Sequence, residues 1–292
     1  MIHKKYILLS ISLVGFIGAI AQNSLLWKVT SKDSKNTSFL FGSMHTNDSM
    51  ANSFGPEWYK AMNSCDVFAG EVDMSNMANM MGALQVAMMK DKTLADLYSP
   101  EELRMVNEAI KNSLDPMTAQ VCQKMKPFFV LASILEAPKK DSPHSQIMDI
   151  RLQDLATKNG KKIVGLETVQ EQASSIDVLT LEEQAELLLD YVKEGNTTDL
   201  EVEKMNKFYL EQHLDSLYSI ASNDKRYPEK MMKALLDDRN DRFIKNLLPQ
   251  LKTNSVFCAV GAMHLTGKNG MIEQLRKNGY EVVAVPFRFG EK

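Results

Sequence analysis

Two β-forming runs near opposite ends of this 292-residue chain close in the same way, on a glycine, a small residue, a methionine and a histidine. The first is Leu40-Phe41-Gly42-Ser43-Met44-His45 and the second Ala259-Val260-Gly261-Ala262-Met263-His264, in a chain with only five histidines. Glycine at a strand end lets the backbone turn or approach a neighbour closely. The histidine is then carried to the C-terminal edge of its strand, where open α/β sheets hold their ligands. Two sequence-distant imidazoles at such an edge point to a metal or acid–base site. The plainer reading is two strand-end histidines hydrogen-bonded to backbone carbonyls.

Two more β-type runs end in acid. Val67-Phe68-Ala69-Gly70 is followed by Glu71, and a strand pattern over residues 162–167 ends at Glu167-Thr168. If these strands share one sheet, His45, Glu71, Glu167 and His264 meet in one cleft. Two histidines and a carboxylate with an open position suit catalytic zinc, and also iron, cobalt or manganese. Such an ion acidifies bound water and polarises a carbonyl. Glu71 is the expected carboxylate ligand, against the simpler role of a charge at the next helix's N-terminus. Glu167 is expected as general base or further ligand, against a cap for the helix starting near Val169.

The rest of the pattern is that of an α/β (α+β) protein. A hairpin over residues 26–41 leads through a short helix behind Pro56. Mostly helical segments follow at about 74–158 and 180–251, the latter a large insertion before a final β-α-β unit over 255–287. Met77, Met80, Met81, Met88 and Met89 crowd one helical stretch, and the spacing from Met77 to Met80 and Met81 defines one apolar face. Core filling is the default for that face, and an adaptable surface or lid over the site the alternative. His144 and His213 read as solvent-exposed. There is no Gly-x-Ser-x-Gly elbow, which argues against a serine hydrolase. Cys65, Cys122 and Cys258 lack a recognisable base and are expected to form no structural disulfide.

Residues 1–21 have a secretory signal layout, with Lys4 and Lys5 before an apolar run and Ala19-Ile20-Ala21 as the cleavage site. The mature domain then spans 22–292, exported to a periplasmic or extracellular location, with no later segment able to span a bilayer. A net charge of −3 provides no basic surface for nucleic acid.

The motifs Leu40-Phe41-Gly42-Ser43-Met44-His45, Glu71 after a strand, Gly165-Leu166-Glu167-Thr168 with Glu171-Gln172, Arg239-Asn240, and Val260-Gly261-Ala262-Met263-His264 occur in an order that resembles the TraB/GumN family. That family includes the animal Tiki proteins, proposed metal-dependent proteases acting on Wnt. One departure is Ile147, where relatives carry glycine two residues before the counterpart of Asp149. The resemblance implies a central mixed β-sheet flanked by helices, similar to erythromycin-esterase and ChaN-type folds. It also implies a divalent ion (Mn, Co or Zn) held by His45, His264 and Glu71. Arg239 would then orient a site glutamate or stabilise an oxyanion, although its charged run alone reads as a solvated helix face. The function implied is an exported metal-dependent hydrolase, a peptidase acting on peptide or protein. The rival is a non-enzymatic peptide- or haem-like-ligand-binding protein using the same cleft.

Overall fold

The computed structural model describes residues 23–44, 51, 53–75, 77–137, 148–224 and 226–290, with side chains of 196–199 left aside. The signal layout, His45, His144 and Ile147 lie outside the described residues. Six strands form one mixed sheet: β1 (Leu26–Ser31), β2 (Ser34–Ser43), β3 (Val67–Gly70), β4 (Lys162–Gly165), β5 (Val256–Gly261) and β6 (Glu281–Ala284), in the spatial order β4-β3-β5-β2-β1-β6. β4, β3, β5 and β2 run parallel, while β1 pairs antiparallel with both β2 and β6. The hairpin expected over 26–41 is tighter and longer than its sequence suggests, because polar Ser34 to Thr37 also pair into β2.

Thirteen α-helices lie among the described residues. They are α1 (Pro56–Asn63), α2 (Met77–Ala87), α3 (Pro100–Ser113), α4 (Pro116–Cys122), α5 (Pro127–Leu135), α6 (Met148–Lys158), α7 (Val169–Ile176), α8 (Leu181–Glu194), α9 (Asn196–Leu210), α10 (Leu214–Asn223), α11 (Glu229–Met232), α12 (Asp238–Thr253) and α13 (Met271–Lys277). Prolines open α1, α3, α4 and α5, where their missing N–H is not needed. Ser99–Glu102, Thr168–Glu171 and Thr180–Glu183 form reciprocal capping boxes at the starts of α3, α7 and α8.

The chain builds two apolar cores. The larger surrounds the sheet, with Phe41, Trp58, Phe68 and Phe257 fully buried and in ring contact. The smaller joins Val106, Ile110, Cys122, Val130 and Ile134 of α3–α5 to Leu188 and Leu189 of α8. The two helical segments thus share a core although β4 separates them in sequence. All three cysteines are buried free thiols, and burial raises the Cys65 thiol to about 11.

Two expectations need correction. Within the helical segment at 180–251, Gln212 has φ 60° and breaks α9 from α10. Its side-chain amide donates to Phe287 O at 2.9 Å, which helps offset the left-handed backbone. His213 is consequently half-buried at the break, 3.2 Å from Asn23, rather than exposed. The methionine face of α2 is not core filling: Met77, Met80, Met81 and Leu84 are 49–70 % exposed, and only Ala87 of that helix is buried.

Candidate functional site

The parallel strands set the site. Register pairs Gly70 with Gly165 across β3 and β4, and the pairing continues one step beyond both strands. There Glu71 O accepts from the backbone N–H of Leu166 and Glu167, at 3.0 and 2.9 Å. Glu71 and Glu167 therefore leave the sheet edge side by side. β5 lies on the other side of β3, and its terminal Gly261 N–H donates to Glu71 Oε1 at 2.8 Å. The chain then makes a single 3-10 turn, Ala262–His264, which aims the imidazole back at Glu71, with Nε2 and Oε1 3.8 Å apart.

Gly42 permits this arrangement. A Cβ there would stand 3.0 Å from Ala262 Cα and 3.1 Å from Leu265 Cδ1, so a side chain at the end of β2 would press on the His264 turn and force it to give. The Gly42 carbonyl accepts from the buried Tyr209 hydroxyl at 2.9 Å, tying α9 to the same edge. Ser43 follows and donates to Asp149 Oδ1 of α6 at 2.6 Å.

Helix α12 supplies the cations. Its buried residues are Arg239, Asn240, Phe243, Ile244, Leu247 and Leu251, so the arginine continues an apolar stripe instead of facing water. A five-residue π turn, Lys233–Asp237, leads directly into it, a local widening often found at functional sites. Arg239 Nε and Nη2 donate to Glu167 Oε1 at 2.8 and 2.6 Å, and Nη2 also reaches Glu71 Oε2 at 2.5 Å. Its Nη1 lies 3.3 Å from His264 Nε2, and its guanidinium stacks over Phe243 at 5.1 Å. Burial opposes the Arg239 charge, but Glu71 and Glu167 outweigh it and hold its pKa above the ordinary value. Arg242, one turn on, grips Glu167 Oε2 through Nε and Nη2 at 3.2 and 3.0 Å and touches Ser175. Both oxygens of Glu167 are thus taken by guanidinia, and its side chain has no exposed surface.

Of the residues singled out from sequence, Glu71, Glu167, Arg239 and His264 come together here, and His45 lies outside the described residues. Thr168, not Glu167, caps α7. Arg242 and the Gln172 amide, 3.4 Å from Glu71 Oε2, complete the cluster. Sequence reading missed Arg242, although its i, i+3 spacing from Arg239 on one helix is a signal that the two can reach a common partner. Among the described residues, no three His, Cys, Asp or Glu side chains are arranged to hold a metal ion. His264 Nε2 and Glu71 Oε1 are nonetheless a chemically suitable pair, since two ligands at about 2 Å from one ion stand roughly 3–4 Å apart.

The model of the TraB/PrgY/gumN family matches residues 25–284. No curated protein and no solved structure matches the chain.

Proposed function

Because this chain belongs to the TraB/PrgY/gumN family over nearly its whole length, we propose that its strand-end cluster is the centre of an exported metal-dependent hydrolase acting on peptide bonds. The observation that carries this reading is the 3.8 Å approach of His264 Nε2 to Glu71 Oε1 beside a buried guanidinium. Glu71 and His264 would hold a divalent ion (Mn, Co or Zn), with His45 as the third ligand. When bound, such an ion acidifies water and polarises a carbonyl.

The remaining chemistry belongs to the chain. Glu71 keeps one oxygen on Gly261 N–H and the other on Arg239, so its carboxylate is held in one orientation. Arg239 is positioned by Glu167 and offers positive charge where an oxyanion would develop. Glu167 or Glu71 would take the proton; each has both oxygens in hydrogen bonds, Glu167 with Arg239 and Arg242 and Glu71 with Arg239 and Gly261 N–H, so either must exchange one of them to act. The two carboxylates and the two guanidinia balance, so the ion pairs at the cluster bury no net charge.

The test is calorimetric titration of the mature chain with Mn²⁺, Co²⁺ and Zn²⁺, alongside peptide hydrolysis before and after chelation. Metal binding that His264→Ala and Glu71→Ala abolish, with chelation-sensitive hydrolysis, supports the reading. Binding of none of the three ions would end it. Metal binding without hydrolysis would favour the rival, a peptide- or haem-like-ligand-binding protein using the same cleft.

A further inference from the structure

Adjacent residues of α12 hold the two ring nitrogens of His264. Asn240 Oδ1 lies 2.7 Å from Nδ1 and Arg239 Nη1 lies 3.3 Å from Nε2, while the Phe243 ring packs on the imidazole at 5.0 Å. The orientation of the Asn240 amide is fixed independently. Its Nδ2 faces Asn269 O at 3.0 Å, and a carbonyl only accepts, so the NH2 group must point there. That leaves the acceptor Oδ1 facing His264 Nδ1, which must therefore carry a proton. On the other side a guanidinium only donates, so Nε2 is the unprotonated nitrogen.

We infer that Asn240 is a positioning residue that locks neutral His264 in its Nδ1–H form and thereby turns the Nε2 lone pair toward the Arg239 guanidinium, with Glu71 Oε1 3.8 Å away. Asn240 is itself 2 % exposed, and the Asn269 carbonyl that orients it also accepts from Gln274 at 3.0 Å. The lock therefore rests on a relay running from the exposed Asn269, in the loop before α13, through buried Asn240 of α12 to the site. An outer hydrogen bond of this kind fixes both the tautomer and the direction of a ligating imidazole. Only the consequence for metal affinity rests on the function proposed above; the tautomer does not.

The test is long-range ¹H–¹⁵N NMR of the full mature chain after chelation, at a pH where imidazole is neutral. The His264 signals are identified by their loss in His264→Gln. The expected spectrum has Nδ1 protonated and Nε2 bare. Asn240→Asp, which still accepts, keeps that pattern; Asn240→Leu, which cannot, shifts it toward Nε2–H and weakens Zn²⁺ binding by about 10–100-fold. Nε2–H in the unsubstituted protein, or an unchanged Nδ1–H form in folded Asn240→Leu, would overturn the inference. If Asn240→Leu does not fold, the spectra of the unsubstituted protein and Asn240→Asp decide it. A locked tautomer with no response to added Zn²⁺ would instead count against the metal reading and leave the inference standing.

Discussion

Glu167 Oε1 accepts two hydrogen bonds from Arg239, at 2.8 and 2.6 Å, in a site where neither side chain is more than 8 % exposed. Breaking a buried pair of this kind by removing one partner costs about 3–5 kcal/mol. Glu167→Ala should therefore unfold at markedly lower urea concentration than the unsubstituted protein. Glu167→Gln keeps the shape and should cost less. In the proposed mechanism it retains the metal, and a partial loss of hydrolysis would leave the proton to Glu71, since Arg239 stays anchored there. Complete loss of turnover with a full complement of metal would make Glu167 the proton acceptor.

Arg239→Lys should behave as a disruptive change. An ammonium cannot donate along the fork that spans Glu71 and Glu167. On the proposed reading, hydrolysis should fall by at least about tenfold, the equivalent of ~1.4 kcal/mol, with folding retained by circular dichroism. Unaltered turnover would remove Arg239 from the site's chemistry.

Gly42→Val should destabilise the fold by about 1–3 kcal/mol through overpacking against Ala262. Because the clash falls on the turn carrying His264, the metal affinity proposed above should fall in the fraction that does fold. Urea unfolding and metal titration of the same preparation separate the two effects.

Capping carboxylates predict the response to acid. Hydrogen bonds from Ser99 lower the Glu102 pKa below its ordinary 4.5, and those from Thr168 do the same for Glu171. The hydrogen bond from Lys230, followed by that from Thr180, lowers Glu183. Groups depressed on folding contribute stability above the unfolded value and lose it as pH falls through the folded one. Helical signal should thus resist acid until below about pH 4.5 and then decline. Combining Glu102→Gln, Glu171→Gln and Glu183→Gln should flatten that decline.

The methionine face of α2 should tolerate charge. Met77→Lys and Met81→Lys, at 70 % and 59 % exposure, should change stability by no more than about 0.5 kcal/mol. Met89→Ala, buried in the smaller core, should cost about 2–5 kcal/mol. Equal effects at the two places would contradict the packing.

Much of this was legible in the chain. Glycine and then histidine at the end of β5, and acid just after β3 and β4, announced a sheet edge rich in chemistry, because strand periodicity and turn residues are local properties. Pro56 likewise marked the start of α1, since a proline's missing N–H is not needed in a helix's first turn. Arg239 was harder. Its run of charges, Asp237-Asp238-Arg239-Asn240-Asp241-Arg242, reads as solvated, and only the stripe continuing through Phe243 and Leu247 shows which of those side chains turn inward.

What the sequence by itself determined was the set of elements and the polar residues at their ends. Tertiary structure alone decided which ends meet. β5, the last parallel strand, inserts between β2 and β3, and that long-range pairing brings Gly261 N–H to Glu71 and His264 to Arg239. Residue spacing carries no record of strand order, because order is fixed by burying the sheet beneath helices drawn from the whole chain. The same cause exposes the methionines of α2: an apolar face is buried only where the assembled fold supplies a partner surface.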